Sequence, residues 1–271
     1  MKVVIFCGGK GLRMGEGSSS IPKPMVPIGN RPILWHIMKY YAHYGHTDFI
    51  LCLGHKAEVI KRFFLDYNEA LANDFVLSNG GGGGGQVDLL GSDISGWRIT
   101  FVDTGLRSSV GQRLTAVRKH LEDEEFFLAT YGDAVTDAPL DELVAELVRS
   151  DKVANFLCVR PSTYSFHTVS IDDGIVTRIQ DVTQADIWIN GGFFVLRRDI
   201  FDYLGEAEDL VDGPLRKLIE NHQVMAHRYE GFWAPMDTLK DKQNFDGLYE
   251  SGEAPWEVWE SSVEPEPTTS P

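Results

Sequence analysis

The chain has 271 residues, 43% of them hydrophobic, and a formal net charge of −15 at pH 7. That length supports one substantial core with at most a small second lobe. The charge argues against a non-specific nucleic-acid surface and against binding to an anionic membrane, but it leaves room for a small anionic ligand held by a local basic site.

Short apolar runs alternate with amphipathic stretches. The first residues, MKVVIFCGG, hold too short an apolar stretch for a signal peptide, and no run approaches a membrane span. Strands are expected over residues 3–7, 49–53, 99–103, 126–130, 155–161, 168–171, 176–179, 192–196 and 224–229. Helices are expected over 32–44, 57–66, 111–121, 140–150 and 213–221. The early strands are continuous apolar runs with helices between them, the pattern of a parallel sheet covered on both faces. From about 155 to 196 strand follows strand, which predicts an antiparallel extension. Cys7, Cys52 and Cys158 each sit in an apolar run without a CxxC pair, and they read as reduced core thiols of a cytoplasmic protein. The six glycines Gly80 to Gly85 predict a flexible surface loop, and the ending SSVEPEPTTSP predicts a disordered acidic tail over 261–271.

The stretch GGKGLRMGEGSSSIPKPM, residues 8–25, carries the first chemical signal. It follows an apolar strand and mixes glycines with Lys10, Arg13 and Lys23. A P-loop needs Gly-Lys-Ser/Thr, which is absent there. A dinucleotide fingerprint needs GxGxxG, but position 14 is Met and the next helix waits until Pro32. What remains is a long loop at the carboxyl end of the first strand, the edge at which open α/β sheets bind ligands. Glycines let backbone N–H groups approach phosphate oxygens, and Arg13 and Lys23 bring positive charge. The alternative is a mobile loop whose basic residues are merely solvated.

Gly-Gly-x-Gly-x-Arg-Met followed by Pro22-Lys23-Pro24-Met25 resembles the signature of the sugar-nucleotide pyrophosphorylases. The stretches PILWHIMKYYAHYG (32–45), TYGDAV (130–135), INGGFFVL (189–196), GFWAPMDTLKDK (231–242) and GEAPWEVWE (252–260) follow in that family's order. Together they look most like its glucose-1-phosphate cytidylyltransferase branch. The resemblance implies a Rossmann-like, GT-A-like α/β fold: a mixed, mainly parallel sheet flanked by helices. It implies one nucleotidyltransferase domain over 1–260, its sugar-binding part at about 155–235. It also implies CTP and a sugar-phosphate-like acceptor as substrates, Mg²⁺ as cofactor and a homo-oligomer, with no nucleic-acid or membrane partner.

The residue roles follow from the same likeness. Arg13 and Lys23 are the catalytic cations, Arg13 toward the departing phosphates and Lys23 near the transferring one. Backbone at Gly8, Gly9 and Gly11 holds the nucleotide, and Thr104, Gly111 and Arg113, in DTGLRSSVGQRL, are candidates for the base. From the residues alone those three equally suit an ordinary helix N-terminal turn. Asp133 and Asp237 are the implied Mg²⁺ ligands, with Asp133 also counted toward the nucleotide. Asp133 also reads as a turn-capping residue. Asp237 or Thr238 also reads as a helix N-cap, and the two roles are compatible if Thr238 caps. Asn190 and Gly191 fall on the family's sugar-contact stretch. In APWEVWE, Trp256 and Trp259 suit either local core packing or an interface.

One departure stands out. The family carries Glu-Lys-Pro shortly before Asn-Gly-Gly, and its Lys grips the sugar phosphate; here Gln180-Asp181-Val182 stands in that place. Asp181 has the wrong sign for a phosphate, and Arg178 or His167 are the nearby replacements considered. The nucleotide half reads as intact and the acceptor half as altered. The competing reading is a regulatory or scaffold homologue that binds nucleotide without turnover; a dehydrogenase fails on glycine spacing.

Overall fold

Val3–Phe6 lies in the middle of an eight-stranded sheet with all four residues buried. The computed structural model describes residues 1–8, 21–80, 85–161, 166–205 and 207–260. β-Branched Val3, Val4 and Ile5 suit an extended chain, and they can be apolar without alternation because both faces of the sheet are covered. Val3 stands opposite Phe49 on one side and Leu128 on the other, both pairings parallel. From one edge the lanes are Val224–Tyr229, Ala154–Val159, a split strand of Ile189–Asn190 and Phe194–Arg197, Phe126–Tyr131, Val3–Phe6, Asp48–Leu53 and Arg98–Asp103. The split strand alone runs antiparallel to its neighbours. The other lanes therefore deliver their carboxyl ends to one edge, and the split strand brings Asn190 to that edge from the opposite direction.

Ile33–His43 covers one face. Eight of its residues are buried, against Ile5, Leu51 and Leu128 among others. Val110–Val117 covers the other face through Leu114 and Val117, packing on Val4, Ile50 and Cys52. Ser109 caps that helix in a capping box with Gln112. The split in the antiparallel strand is a kink at Gly192 and Phe193, φ +78° and +51°. A left-handed Phe costs roughly 1–3 kcal/mol. The kink turns the ring into the core, against Tyr40 and Tyr41.

The expected parallel core and antiparallel extension are present, with several differences. The helix expected over 213–221 is a widened turn, Val211–Leu215, leading into the short helix Arg216–Glu220, because Pro214 supplies no backbone N–H. Phe75–Ser78 and Gln86–Leu89 pair as antiparallel strands, and positions 81–84 of the expected flexible loop fall outside the described residues. Ala134–Thr136 pairs with Trp233–Pro235, a ladder the sequence reading did not include. Trp256 is fully buried, donates its Nε1–H to His36 and packs edge-on to Phe245, so it serves this chain's own core. The 261–271 segment lies outside the described residues. Among those described, no helix is long and apolar enough to cross a membrane.

Candidate active site

Asp133 follows the Phe126–Tyr131 strand by two residues, at the carboxyl edge. The chain then enters the two-stranded ladder, with Ala134 opposite Pro235, and the Met236 N–H donates to the Asp133 carbonyl at 2.8 Å. That ladder brings Asp237 beside Asp133. Thr238 caps the helix Leu239–Glu250 in a reciprocal box with Asp241, whose carboxylate accepts the Thr238 N–H at 2.7 Å and the Asp237 N–H at 3.0 Å. Capping thus falls to Thr238, and the Asp237 carboxylate is left for the site.

Lys23 meets both acids. Its Nζ donates to Asp133 Oδ2 at 2.6 Å and to Asp237 Oδ1 at 2.5 Å. Its backbone is fixed by the turn Lys23–Met25, where the Met25 N–H reaches the Pro22 carbonyl and both Pro24 and Met25 are buried. Gly132 permits this approach, since a Cβ there would lie 3.1 Å from the Pro24 ring and 3.2 Å from the Phe6 carbonyl. Burial alone would lower the Lys23 pKa; Asp133 and then Asp237 outweigh it and raise it. Two carboxylates offering only oxygen are a donor set that suits Mg²⁺, which takes one or two protein carboxylates and completes its shell with phosphate oxygens and water. Among the described residues, no cluster of three or more His, Cys, Asp or Glu could hold a metal by itself.

A cleft of about 270 Å³ opens next to this group, with Gly8, Lys23, Arg113, Tyr131, Asp133 and Asp209 among its lining residues. Arg113 is only 3% exposed. Its guanidinium donates to the carbonyls of Leu53 (3.0 Å) and Gly8 (2.7 Å) and to Thr104 Oγ1 (2.6 Å). It thereby ties together the carboxyl ends of three adjacent strands, and burial lowers its pKa. The Thr104 hydroxyl in turn donates a hydrogen bond to Leu53 O at 2.7 Å. A Cβ on Gly8 would lie 2.0 Å from the Arg113 guanidinium, so glycine there is what admits the arginine. Gly111 is buried against the Glu208–Asp209 backbone, 2.3 Å from the Glu208 carbonyl to a would-be Cβ, and faces that segment. Gly9, Gly11 and Arg13 lie outside the described residues.

At the same edge, Asn190 Oδ1 accepts the Gly192 N–H at 2.9 Å. Gly191 is held from both sides: its N–H donates to Leu157 O and its carbonyl accepts Trp233 Nε1, each at 2.8 Å. Because Trp233 belongs to the ladder that carries Asp237, Asn190 and Gly191 are joined structurally to the Lys23 group. Asp181 and His167 are joined to each other instead, as cross-strand partners at the end of the hairpin His167–Asp172 and Ile175–Asp181. The Asp181 carboxylate accepts the Thr183 N–H and hydroxyl at 2.9 Å each, which lowers its pKa and caps the turn Val182–Gln184. Neither residue has a hydrogen bond or ion pair to Lys23, Asp133 or Asp237.

Three residues escaped the sequence reading. Tyr131 and Asp209 line the cleft. Arg160 follows the Ala154–Val159 strand, donates to the Ala185 carbonyl at 3.0 Å and stacks over Trp188, whose ring Arg228 also approaches. Arg160 also pairs with Glu230 at 3.4 Å and with Asp186 at 3.9 Å. Arg178, by contrast, sits in the exposed middle of the hairpin.

Residues 2–238 match the family model described as nucleotidyl transferase. Glucose-1-phosphate cytidylyltransferases of Salmonella typhi and Salmonella typhimurium are each 39% identical to the chain over 263 residues, 96% of this chain and the whole of the relative. Among solved structures, HddC from Yersinia pseudotuberculosis complexed with GMP-PN superposes with a TM-score of 0.63 at 20% identity, over 92% of this chain and 99% of that one, a likeness of fold.

Proposed function

The chain belongs to the nucleotidyl transferase family, and from that premise we propose that it joins CTP and glucose 1-phosphate into CDP-glucose and pyrophosphate. A phosphate oxygen of the sugar attacks the α-phosphorus of CTP, the bond from that phosphorus to the bridging oxygen breaks in line, and pyrophosphate departs with the electron pair. The observation that carries the reading is the meeting of Lys23, Asp133 and Asp237 at a cleft on the sheet's carboxyl edge. Mg²⁺ held by Asp133 and Asp237 would neutralise phosphate charge in the transition state. Lys23 supplies a protein cation beside the transferring phosphate, with Arg13 assigned to the departing phosphates by likeness to the family. Arg113 and Gly8 form the floor under the nucleotide. The choice of cytosine rests on the Salmonella relatives. On the acceptor side, Asn190 and Gly191 face the sugar, and Arg160 offsets the missing lysine of Gln180-Asp181-Val182. The enzyme works as a cytoplasmic homo-oligomer in this reading.

The acidic Asp181 favours a second reading, a homologue that binds nucleotide without transfer. Pyrophosphate release separates the two, measured with Mg²⁺ and CTP, UTP, dTTP, ATP or GTP against a panel of sugar 1-phosphates. Release with CTP and glucose 1-phosphate supports the proposal. Release with CTP and another sugar moves the acceptor. Nucleotide binding with no release from any pair supports the second reading.

A further inference from the structure

The place between the two carboxylates is taken by a lysine. Lys23 Nζ lies 2.6 Å from Asp133 Oδ2 and 2.5 Å from Asp237 Oδ1. Mg²⁺ binds carboxylate oxygens at about 2.0–2.1 Å and demands near-octahedral geometry. A divalent cation on the same two oxygens would sit almost on top of the ammonium, where two cations repel strongly. We propose that Lys23 and the catalytic divalent cation are alternative occupants of the Asp133–Asp237 pair, so that arrival of the cation displaces the ammonium and hands it to the substrate phosphate. The inference rests on the reading of Asp133 and Asp237 as metal ligands.

Three features make the exchange work. The first is charge. Two carboxylates and one ammonium leave the group at −1, which repels a polyphosphate; adding a divalent cation brings the same residues to +1, which attracts it. The sign of the site thus changes only when the cation is in place. The second is donor supply. An ammonium has three N–H donors; two are spent on Asp133 and Asp237, and release frees them for phosphate oxygens. The third is mechanical. The Lys23 backbone is pinned by its turn and by buried Pro24, while a flexible four-carbon stem carries the head group. The Asp237 side chain, 59% exposed, leaves an open side for the ammonium to swing through. The chain anchors the base of the lever, and only the two carboxylates hold its tip.

The competing arrangement has the cation on the other two carboxylate oxygens while Lys23 stays and braces the pair from outside. Removing the lysine charge favours the cation in both arrangements, so they separate on whether the cation frees Lys23. Mn²⁺ binding to the nucleotide-free full-length protein, followed by the EPR signal of free Mn²⁺, is compared for the natural protein, Lys23→Met, Lys23→Arg, Asp133→Asn and Asp237→Asn, with thermal melts confirming that each is folded. Exchange predicts that Lys23→Met binds Mn²⁺ at least ~10-fold more tightly, because the competing charge is gone, and that Lys23→Arg stays near the natural affinity. Unchanged or weaker binding in Lys23→Met overturns it. The natural protein is also acetylated with a limiting amine reagent, with and without Mg²⁺, and Lys23 followed by mass spectrometry. Mg²⁺ must then speed the modification of Lys23, and an unchanged or slower rate overturns the exchange. If both Asp→Asn variants keep full Mn²⁺ affinity, the metal pair itself falls, and the exchange with it. If they lose it and Lys23→Met does not tighten, only the exchange falls.

Discussion

On the nucleotide side of the sheet edge, Val3–Phe6 and Phe126–Tyr131 are paired on both sides and buried almost throughout. On the acceptor side, His167–Asp172 and Ile175–Asp181 pair only with each other, and Ile171, Ile175 and Ile179 stand in solvent. A side chain added in the first region meets the Arg113 guanidinium at 2.0 Å at Gly8 and the Phe6 carbonyl at 3.2 Å at Gly132. A substitution on the ribbon meets water. Charge reversal at position 181 therefore leaves the core untouched, whereas the groups that handle phosphate are locked by register. On the proposed function, the first region fixes the nucleotide chemistry and the second leaves room for change toward the acceptor.

The sharpest way to break that contrast is at the acids of the buried side. Asp133→Asn or Asp237→Asn should lower Mg²⁺-dependent turnover at least ~100-fold, the scale of losing one preorganised charge-stabilising group. Melting temperature should stay near that of the natural protein, because neither carboxylate supports the core. Pyrophosphate release and a thermal melt read both effects, and full activity in either variant removes that residue from the metal pair. Next is Arg113→Leu. It removes the donor that Arg113 gives the Gly8 carbonyl, at about 1–3 kcal/mol if that buried group stays unpaired, and it empties a buried guanidinium site, while the Leu53 carbonyl keeps the Thr104 N–H and hydroxyl. Urea denaturation should show a loss of a few kcal/mol; a loss under about 1 kcal/mol would mean that water replaces the guanidinium.

Smaller effects belong to the acceptor side. Arg160→Ala should raise the KM for the sugar phosphate about 10-fold, the worth of one charge-assisted hydrogen bond, with kcat little changed. A KM shift for CTP instead would place Arg160 on the wrong substrate. Asp181→Lys should raise kcat/KM for glucose 1-phosphate by roughly 2–5-fold, the range of an exposed charge pair. No change there means that position 181 does not face the acceptor and that its carboxylate serves only the turn through Thr183.

What could be read from the sequence follows the same division. The strands around residues 3–7, 49–53 and 126–130 were legible because a lane covered on both faces needs an uninterrupted apolar run. Asp133 and Lys23 were picked out by the family resemblance, since the residues alone left a turn cap and a solvated basic loop open. The Ala134–Thr136 and Trp233–Pro235 ladder was not, since three-residue strands carry no period. Yet that ladder sets Asp237 against Asp133. Arg113 was read as a donor aimed at a base because sequence shows a residue's donors but not the carbonyls waiting for them. Gly111 was assigned to the nucleotide, while its missing side chain makes room for Glu208. Trp256 was left between core and interface, and its burial against Phe245 resolves that toward the core.

Lys23 is bonded to one acid 110 residues further along the chain and to another 214 residues further. At a synthesis rate of about 5–20 residues per second, the second acid leaves the ribosome roughly 10–40 s after the lysine. Throughout that interval the glycine-rich stretch and its cations exist without the pair that would govern them. The Leu239–Glu250 helix and Trp256, which packs back onto His36 across 220 residues, come later still. A chain cut short before position 237 thus carries basic residues able to attract a nucleotide but lacks the second carboxylate. Such a fragment is expected to hold substrate without consuming it, and competence arrives only with roughly the last eighth of these 271 residues.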